Sequence, residues 1–210
     1  MIYDKARDSR LQISRDKKPI TEYLRQLAFL FYFSGYLGSS FIVLMAHSLC
    51  EVEEKESANF IAGLPYTVEA LTNCVAILFT RKLFQKFGWK PPYILGILIF
   101  IFGIIFTALA SNITLFILAR AVVGMGYGIC WMTLRNVTAM NGDRAENFSN
   151  LSSGIYAGIM CSMAFGAVIA DQIGFKNVLF VSALLSIIAA IFPIMLKNSR
   201  ENLQHTEFDN

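Results

Sequence analysis

The sequence predicts an all-α membrane protein whose six transmembrane helices form a 3+3 inverted repeat. Three observations predict it. Charge is scarce and clustered, six apolar runs have bilayer length, and the second half of the chain echoes the first with reversed topology. Of 210 residues, 55% are hydrophobic and 16% charged, where a soluble domain carries about 25% charged residues. Mean hydropathy is +0.52. The net charge of +3 calls for no nucleic-acid partner, because Lys and Arg gather where membrane topology puts them.

The elements follow in order. Residues 1–26 are polar and basic and read as a cytoplasmic flank. The apolar run behind them is long and lacks a small-residue cleavage site, so no cleavable signal peptide is expected there. Spans are expected near 27–48, 59–80, 92–111, 113–134, 150–172 and 177–196, each close to the ~20 residues a bilayer crossing needs. The shortest break is Ser111-Asn112. It is required, because one straight helix from Tyr93 to Met132 would run about 60 Å, twice the hydrocarbon thickness. Residues 197–210 read as a cytoplasmic tail, so the bundle itself is 27–196.

Orientation follows from the cations. Lys5, Arg7, Arg10, Arg15, Lys17, Lys18 and Arg25 precede span one, and Arg81, Lys82, Lys86 and Lys90 follow span two. Arg135 and Arg144 follow span four. The opposite side holds only Lys55 and Lys176, beside the acidic Glu51, Glu53, Glu54 and Glu56. The positive-inside rule puts both termini in the cytoplasm of a plasma-membrane protein.

The echo is "QKFGWKPPYILG" (85–96) against "DQIGFKNVLFVS" (171–182). Gly88/Gly174, Trp89/Phe175 and Lys90/Lys176 correspond at an offset of 86 residues, which also lays Gly38 on Gly124. Carried along the chain, the offset maps spans one to three onto four to six with inverted orientation, an arrangement typical of transporters.

Two motifs then give a family resemblance. "RKLFQKFGWK" resembles the loop between helices two and three of the major facilitator superfamily, G-x-L-A-D-R-x-G-R-R, with Lys86, Gly88 and Lys90 matching. Arg81 replaces the glycine, and Gln85 replaces the aspartate that in the family helps control cytoplasmic opening. "RAVVGMGYG" resembles R-x-x-Q-G-x-G of the fourth helix through Arg120, Gly124 and Gly126, with Val123 replacing glutamine. The phrasing "GLPYTVEAL" and "GMGYGICW" resembles C-terminal halves of bacterial members. The resemblance implies a half-bundle that needs a second six-span half or a second copy, and a lipid-embedded transporter of a small molecule. The alternative is a sensor or scaffold module signalling to an attached cytoplasmic domain. Aquaporins and mitochondrial carriers are excluded by their missing N-P-A and P-x-[DE]-x-x-[KR] motifs. An intramembrane serine protease is excluded because no histidine lies at bilayer depth, and no enzyme chemistry or cofactor is expected.

Arg120 and Glu69 are the only charges well inside spans, of opposite sign and similar depth. Intramembrane charges usually face a bundle interior and pair with one another, so these two are the expected pair. It would be either a structural strut or a substrate and coupling-ion site, in which Arg120 holds an anionic group and Glu69 carries a proton. Tyr36, Tyr66, Asn73 and Tyr127 are the further polar candidates, with Tyr32, Trp131 and Tyr156 behind them. Gly154, Gly158, Ser162 and Gly166 form a small-residue stripe that lets a neighbouring helix approach closely. The four cysteines form no C-x-x-C pair and read as small buried thiols rather than metal ligands.

Overall fold

The computed structural model describes residues 23–50, 55–140 and 144–208, with side chains for 23–50, 57–139 and 145–193. The basic flank before residue 23, the acids at 51–54, and 141–143 lie outside the described residues. Helices are α1 (23–36), a 3-10 turn Ser39–Phe41, α2 (Ile42–Ser48), α3 (Lys55–Phe87), α4 (Lys90–Leu109), α5 (Ile113–Met140), α6 (Arg144–Ile173) and α7 (Phe175–Phe208). Six stretches among the described residues are long and apolar enough to cross a bilayer, and each overlaps one expected span, with ends that differ by up to seven residues.

Span one departs from expectation. It is not one helix but α1 and α2 on either side of a break at 37–41. Apolar content alone gave no reason for a break; "GYLGSS" (35–40) supplies one. Glycine is a poor helix former, and serine hydroxyls compete for backbone carbonyls, as Ser39 Oγ does by donating to Tyr36 O at 2.8 Å. The backbone of the expected tail simply prolongs α7 to Phe208. Inside α3, Pro65 removes an N–H, and the Thr67 hydroxyl donates to the carbonyl of Gly63 at 3.2 Å.

The inverted repeat is visible in the backbone. Among the described residues only Gly88 (φ +77°) and Gly174 (φ +82°) have positive φ. They lie 86 residues apart and do the same work. Gly88 N–H donates to Phe84 O at 3.0 Å and Gly174 N–H to Ala170 O at 2.9 Å. Each thereby ends a helix in the left-handed conformation that only glycine adopts without strain, and the chain turns directly into the next span.

Packing is interlocked between the two units. The first helix of the second unit, α5, lies against α3 and α4 of the first. Span one lies against α6 and α7 of the second: Ser182 donates to Ser34 O, Phe33 meets Phe165 edge-on, and Tyr23 meets Phe192. The third helices, α4 and α7, touch each other. Cysteines correct one expectation: Cys130 is buried, but Cys50 and Cys161 are half-buried and Cys74 is exposed.

Candidate functional site

The site begins with α5. Gly124 and Gly128, one turn apart, face α3, where an added Cβ would meet Glu69 O, Thr72 Oγ1 and Asn73 O. Gly126 faces α4, where a Cβ would run into Phe100 N and Gly96 O. Side-chain-free contacts on two faces bring three backbones together. That approach sets Arg120, one turn before Gly124, beside Glu69.

Arg120 and Glu69 form an ion pair. Nε donates to Oε2 at 3.1 Å, and Nη2 donates to the same oxygen. Both bonds land on Oε2, so the pair is not a fork-to-fork clasp, and Oε1 makes no bond to the arginine. The Arg120 side chain is 6% exposed and that of Glu69 19%. The carboxylate is therefore the more accessible of the two partners.

The cavity has a volume of about 170 Å³ and is lined by Tyr36, Tyr66, Glu69, Asn73, Arg120 and Tyr127, with Ser39 and Phe100 closing it. The structure thus brings the six polar residues singled out in the sequence into one wall. Tyr66 donates its hydroxyl to Ser39 O, tying α3 to the break in span one. Tyr36 and Tyr127 hydroxyls stand 3.4 Å apart. Asn73 Oδ1 is buried and without a partner, a state rare for buried polar atoms and one that calls for an explanation.

Behind Tyr127 lies an aromatic wall. Tyr32 stacks on Tyr36 at 5.9 Å and meets Trp131 edge-on at 5.8 Å, and Phe31 stacks on Tyr127 at 5.6 Å. Arg135 closes it with its guanidinium 4.2 Å from the Trp131 ring. Tyr32 and Trp131 therefore support the cavity from behind without lining it, and Tyr156, 65% exposed, faces outward. Sequence reasoning missed Ser39, whose contribution is a carbonyl; only the Gly-Ser cluster around it hints at free backbone there.

The family description Major Facilitator Superfamily matches residues 27–208. The chain belongs to the Major Facilitator Superfamily. It is a multi-pass membrane protein of a transporter family. Similar proteins include an uncharacterized transporter of Buchnera aphidicola, 26% identical over 145 residues, covering 68% of this chain and 37% of that protein. Multidrug resistance protein MdtG of Proteus mirabilis is 24% identical over 189 residues, covering 84% of this chain and 46% of MdtG. Multidrug resistance protein MdtL of Escherichia coli is 33% identical over 69 residues, covering 33% of this chain and 18% of MdtL. The chain spans less than half the length of these relatives.

The remaining motif residues of this superfamily chain sit away from the cavity. Gly88 makes the corner between α3 and α4. Lys86 lies 5.1 Å from the Phe87 ring, and Lys90 5.7 Å from that of Trp89. On α6, Gly154, Gly158 and Gly166 lie against span one, where a Cβ would meet the carbonyls of Arg25, Phe29 and Leu37 in turn.

Proposed function

We propose that this chain is one six-span half of a secondary active transporter for a small solute, working by alternating access against a second six-span half. Both termini lie in the cytoplasm. The observation that carries the reading is the buried Arg120–Glu69 pair in the wall of a polar cavity within apolar spans. Charges at this depth cost roughly 2.5–3.5 kcal/mol each and mark substrate or ion paths. A break in a span beside such a cavity is a recurring feature of transporter sites.

The geometry supports a division of labour. Arginine stays protonated in proteins, so any proton step falls to Glu69. Protonating Glu69 removes the charge that occupies Arg120, and the guanidinium then serves an anionic group of the solute. Proton and anion thus favour the same state, which is a coupling. The multidrug names of MdtG and MdtL extend the proposal to small organic solutes.

Three measurements test it. In proteoliposomes of the complete transporter loaded with a pH-sensitive dye, solutes that move should shift internal pH, and Glu69→Gln should abolish that shift. Cysteines at Glu53 and Lys86 should label from opposite faces, Lys86 from the cytoplasm; labelling of both from one face ends the six-span topology. The purified chain should be a dimer or hold a partner, and a monomer that still moves solute contradicts the half-transporter reading. Gln85, which lacks the carboxylate of the family's cytoplasmic gate, favours the sensor alternative. A catalytic cytoplasmic domain in the complete polypeptide would support that alternative.

A further inference from the structure

Among the described residues, three buried side-chain atoms have no hydrogen-bond partner: Asn73 Oδ1, Tyr32 Oη and Tyr93 Oη. All three lie to one side of the ion pair. Asn73 is one turn beyond Glu69 along α3, Tyr32 is one turn before Tyr36 along α1, and Tyr93 stands at the start of α4. Under the proposed orientation this is the cytoplasmic side. On the opposite side Ser39, Ser48, Tyr66, Thr67 and Thr107 are all bonded. Unpaired buried polar atoms are rare and call for a partner, so their gathering on one side of a buried carboxylate has a direction.

Two of them connect to Glu69. The cavity beside it holds about 170 Å³, and a water takes about 30 Å³ in the liquid and needs two to four polar partners. Glu69 Oε1, Asn73 and the hydroxyls of Tyr36 and Tyr127 supply them. Tyr127 lies seven residues, about 10 Å, beyond Arg120 along α5. Its hydroxyl is 3.4 Å from that of Tyr36 on the cavity side and neighbours that of Tyr32 behind it. The three rings touch pairwise, with centroids 5.9, 5.9 and 6.4 Å apart. Tyr32 in turn lies within electrostatic reach of exposed Arg135. The oxygens therefore step from the cavity toward the start of α1 and the end of α5. In the outward direction the next polar groups, Tyr66 and Ser39, are already bonded to each other.

We propose that water in this cavity and the hydroxyls of Tyr36, Tyr127 and Tyr32 form the route by which Glu69 exchanges its proton with the cytoplasm, Asn73 Oδ1 holding the first water. The route presupposes the proton step assigned to Glu69. Glu69 gives its proton to the water at Oε1. Each oxygen in line accepts one proton and passes on another, as a hydroxyl can because it both donates and accepts, and the hydroxyls then rotate back. Glu69 is left as the carboxylate paired with Arg120, no tyrosinate forms, and one proton reaches cytoplasmic water. The positive charge of Arg135 keeps an excess proton from resting at the end of the line.

Two measurements on the full chain in lipid nanodiscs test this without any solute. Water is the first probe, because a brief X-ray pulse turns bound water into hydroxyl radicals that oxidise the side chain beside it. Tyr32, only 1% exposed, should be oxidised together with Tyr127, while Phe116, 0% exposed, should not. Equal protection of Tyr32 and Phe116 overturns the proposal. Acid is the second probe. After a rapid drop in pH the infrared carboxyl band of Glu69, identified by its loss in Glu69→Gln, should rise. Tyr127→Phe should slow that rise about three- to tenfold, the worth of one hydrogen bond. Tyr32→Phe should do the same, so the test survives if one variant misfolds. Tyr66→Phe, on the other wall, should not slow it. Slowing by Tyr66→Phe alone would mean entry from the outer side and overturns the proposal, as do unchanged rates in both Tyr127→Phe and Tyr32→Phe. A Glu69 band absent at every pH overturns the proton role of Glu69 and this route with it, and oxidation of Tyr32 in the same protein would separate that failure from a dry cavity.

Discussion

Span one and α5 are counterparts under the 86-residue offset, and the fold treats them differently. In α5 the glycines belong to the central helix itself, so its backbone meets the backbones of α3 and α4 directly at Gly124, Gly126 and Gly128. In span one the glycines belong to the neighbour, α6, and span one offers carbonyls to Gly154, Gly158 and Gly166. Its own Gly38, the counterpart of Gly124, faces only the flexible end of Leu179. α5 is also an unbroken 28-residue helix bearing the ion pair, whereas span one breaks at 37–41. The same position in two related units thus holds a rigid post in one and a jointed one in the other. Any movement around the cavity should use the joint.

The largest effect should come from filling the rigid contact. Gly126→Leu would force a side chain into the backbone of α4, where no neighbour can yield. Overpacking costs about 1–3 kcal/mol where relaxation is available and more where it is not. This variant should fail to give a monodisperse protein by size exclusion. Gly38→Leu should remain folded, because Leu179 can change rotamer. If both variants behave alike, the distinction between post and joint is wrong.

Next come the charges. Arg120→Ala and Glu69→Ala each strand a buried partner, a loss that reaches ~3–5 kcal/mol in soluble cores. The double variant should be more stable than the sum of the two single losses predicts. Coupling across membrane pairs averages about 0.6 kcal/mol, and a charged pair should equal or exceed that in a thermal-unfolding cycle. Additive losses would remove the ion pair from the account of why α5 is rigid.

Arg120→Lys should cost less stability and report on function instead. It keeps the charge and loses the planar fork that can grip an anion at two points. A folded Lys variant that no longer binds solute, in equilibrium binding to the complete transporter, places Arg120 in the site. Undiminished binding reduces it to a strut.

Much of this was legible in the sequence, for a physical reason. A bilayer fixes span length and penalises charge, so the six spans and the Arg120–Glu69 pairing follow from counting residues and locating charges. Gly88 and Gly174 announced the repeat because a sharp turn between spans demands glycine. The facing of each helix was far less legible. Lipid is as apolar as a protein core, so helical periodicity does not separate buried Cys130 from exposed Cys74, or cavity-lining Tyr127 from outward Tyr156. The break in span one escaped for the same reason: hydropathy measures content and not backbone order. Only the cluster Gly35, Gly38, Ser39 and Ser40 carried that information.

The smallest expected effect tests the joint itself. Tyr66 donates its hydroxyl to the carbonyl of Ser39, inside the break, from a position one turn before Glu69 on α3. That carbonyl already accepts the backbone N–H of Ile42 at the end of the 3-10 turn, so the Tyr66 hydroxyl is its second donor. Tyr66→Phe keeps the ring in the cavity wall and deletes only the donor, a loss of about 0.5–1.5 kcal/mol. Global stability should therefore change little. The local consequence should be larger: amides at 37–41 should exchange hydrogen about 2- to 10-fold faster, on the order of that bond's worth. Amides along α5 should exchange at unchanged rates, because their protection comes from the glycine contacts. Equal acceleration in both helices would mean that the two counterparts open as one cooperative unit. Unchanged exchange at 37–41 would mean that the break is held by the Ser39–Tyr36 hydrogen bond and its packing on α7, and that Tyr66 belongs to the cavity alone.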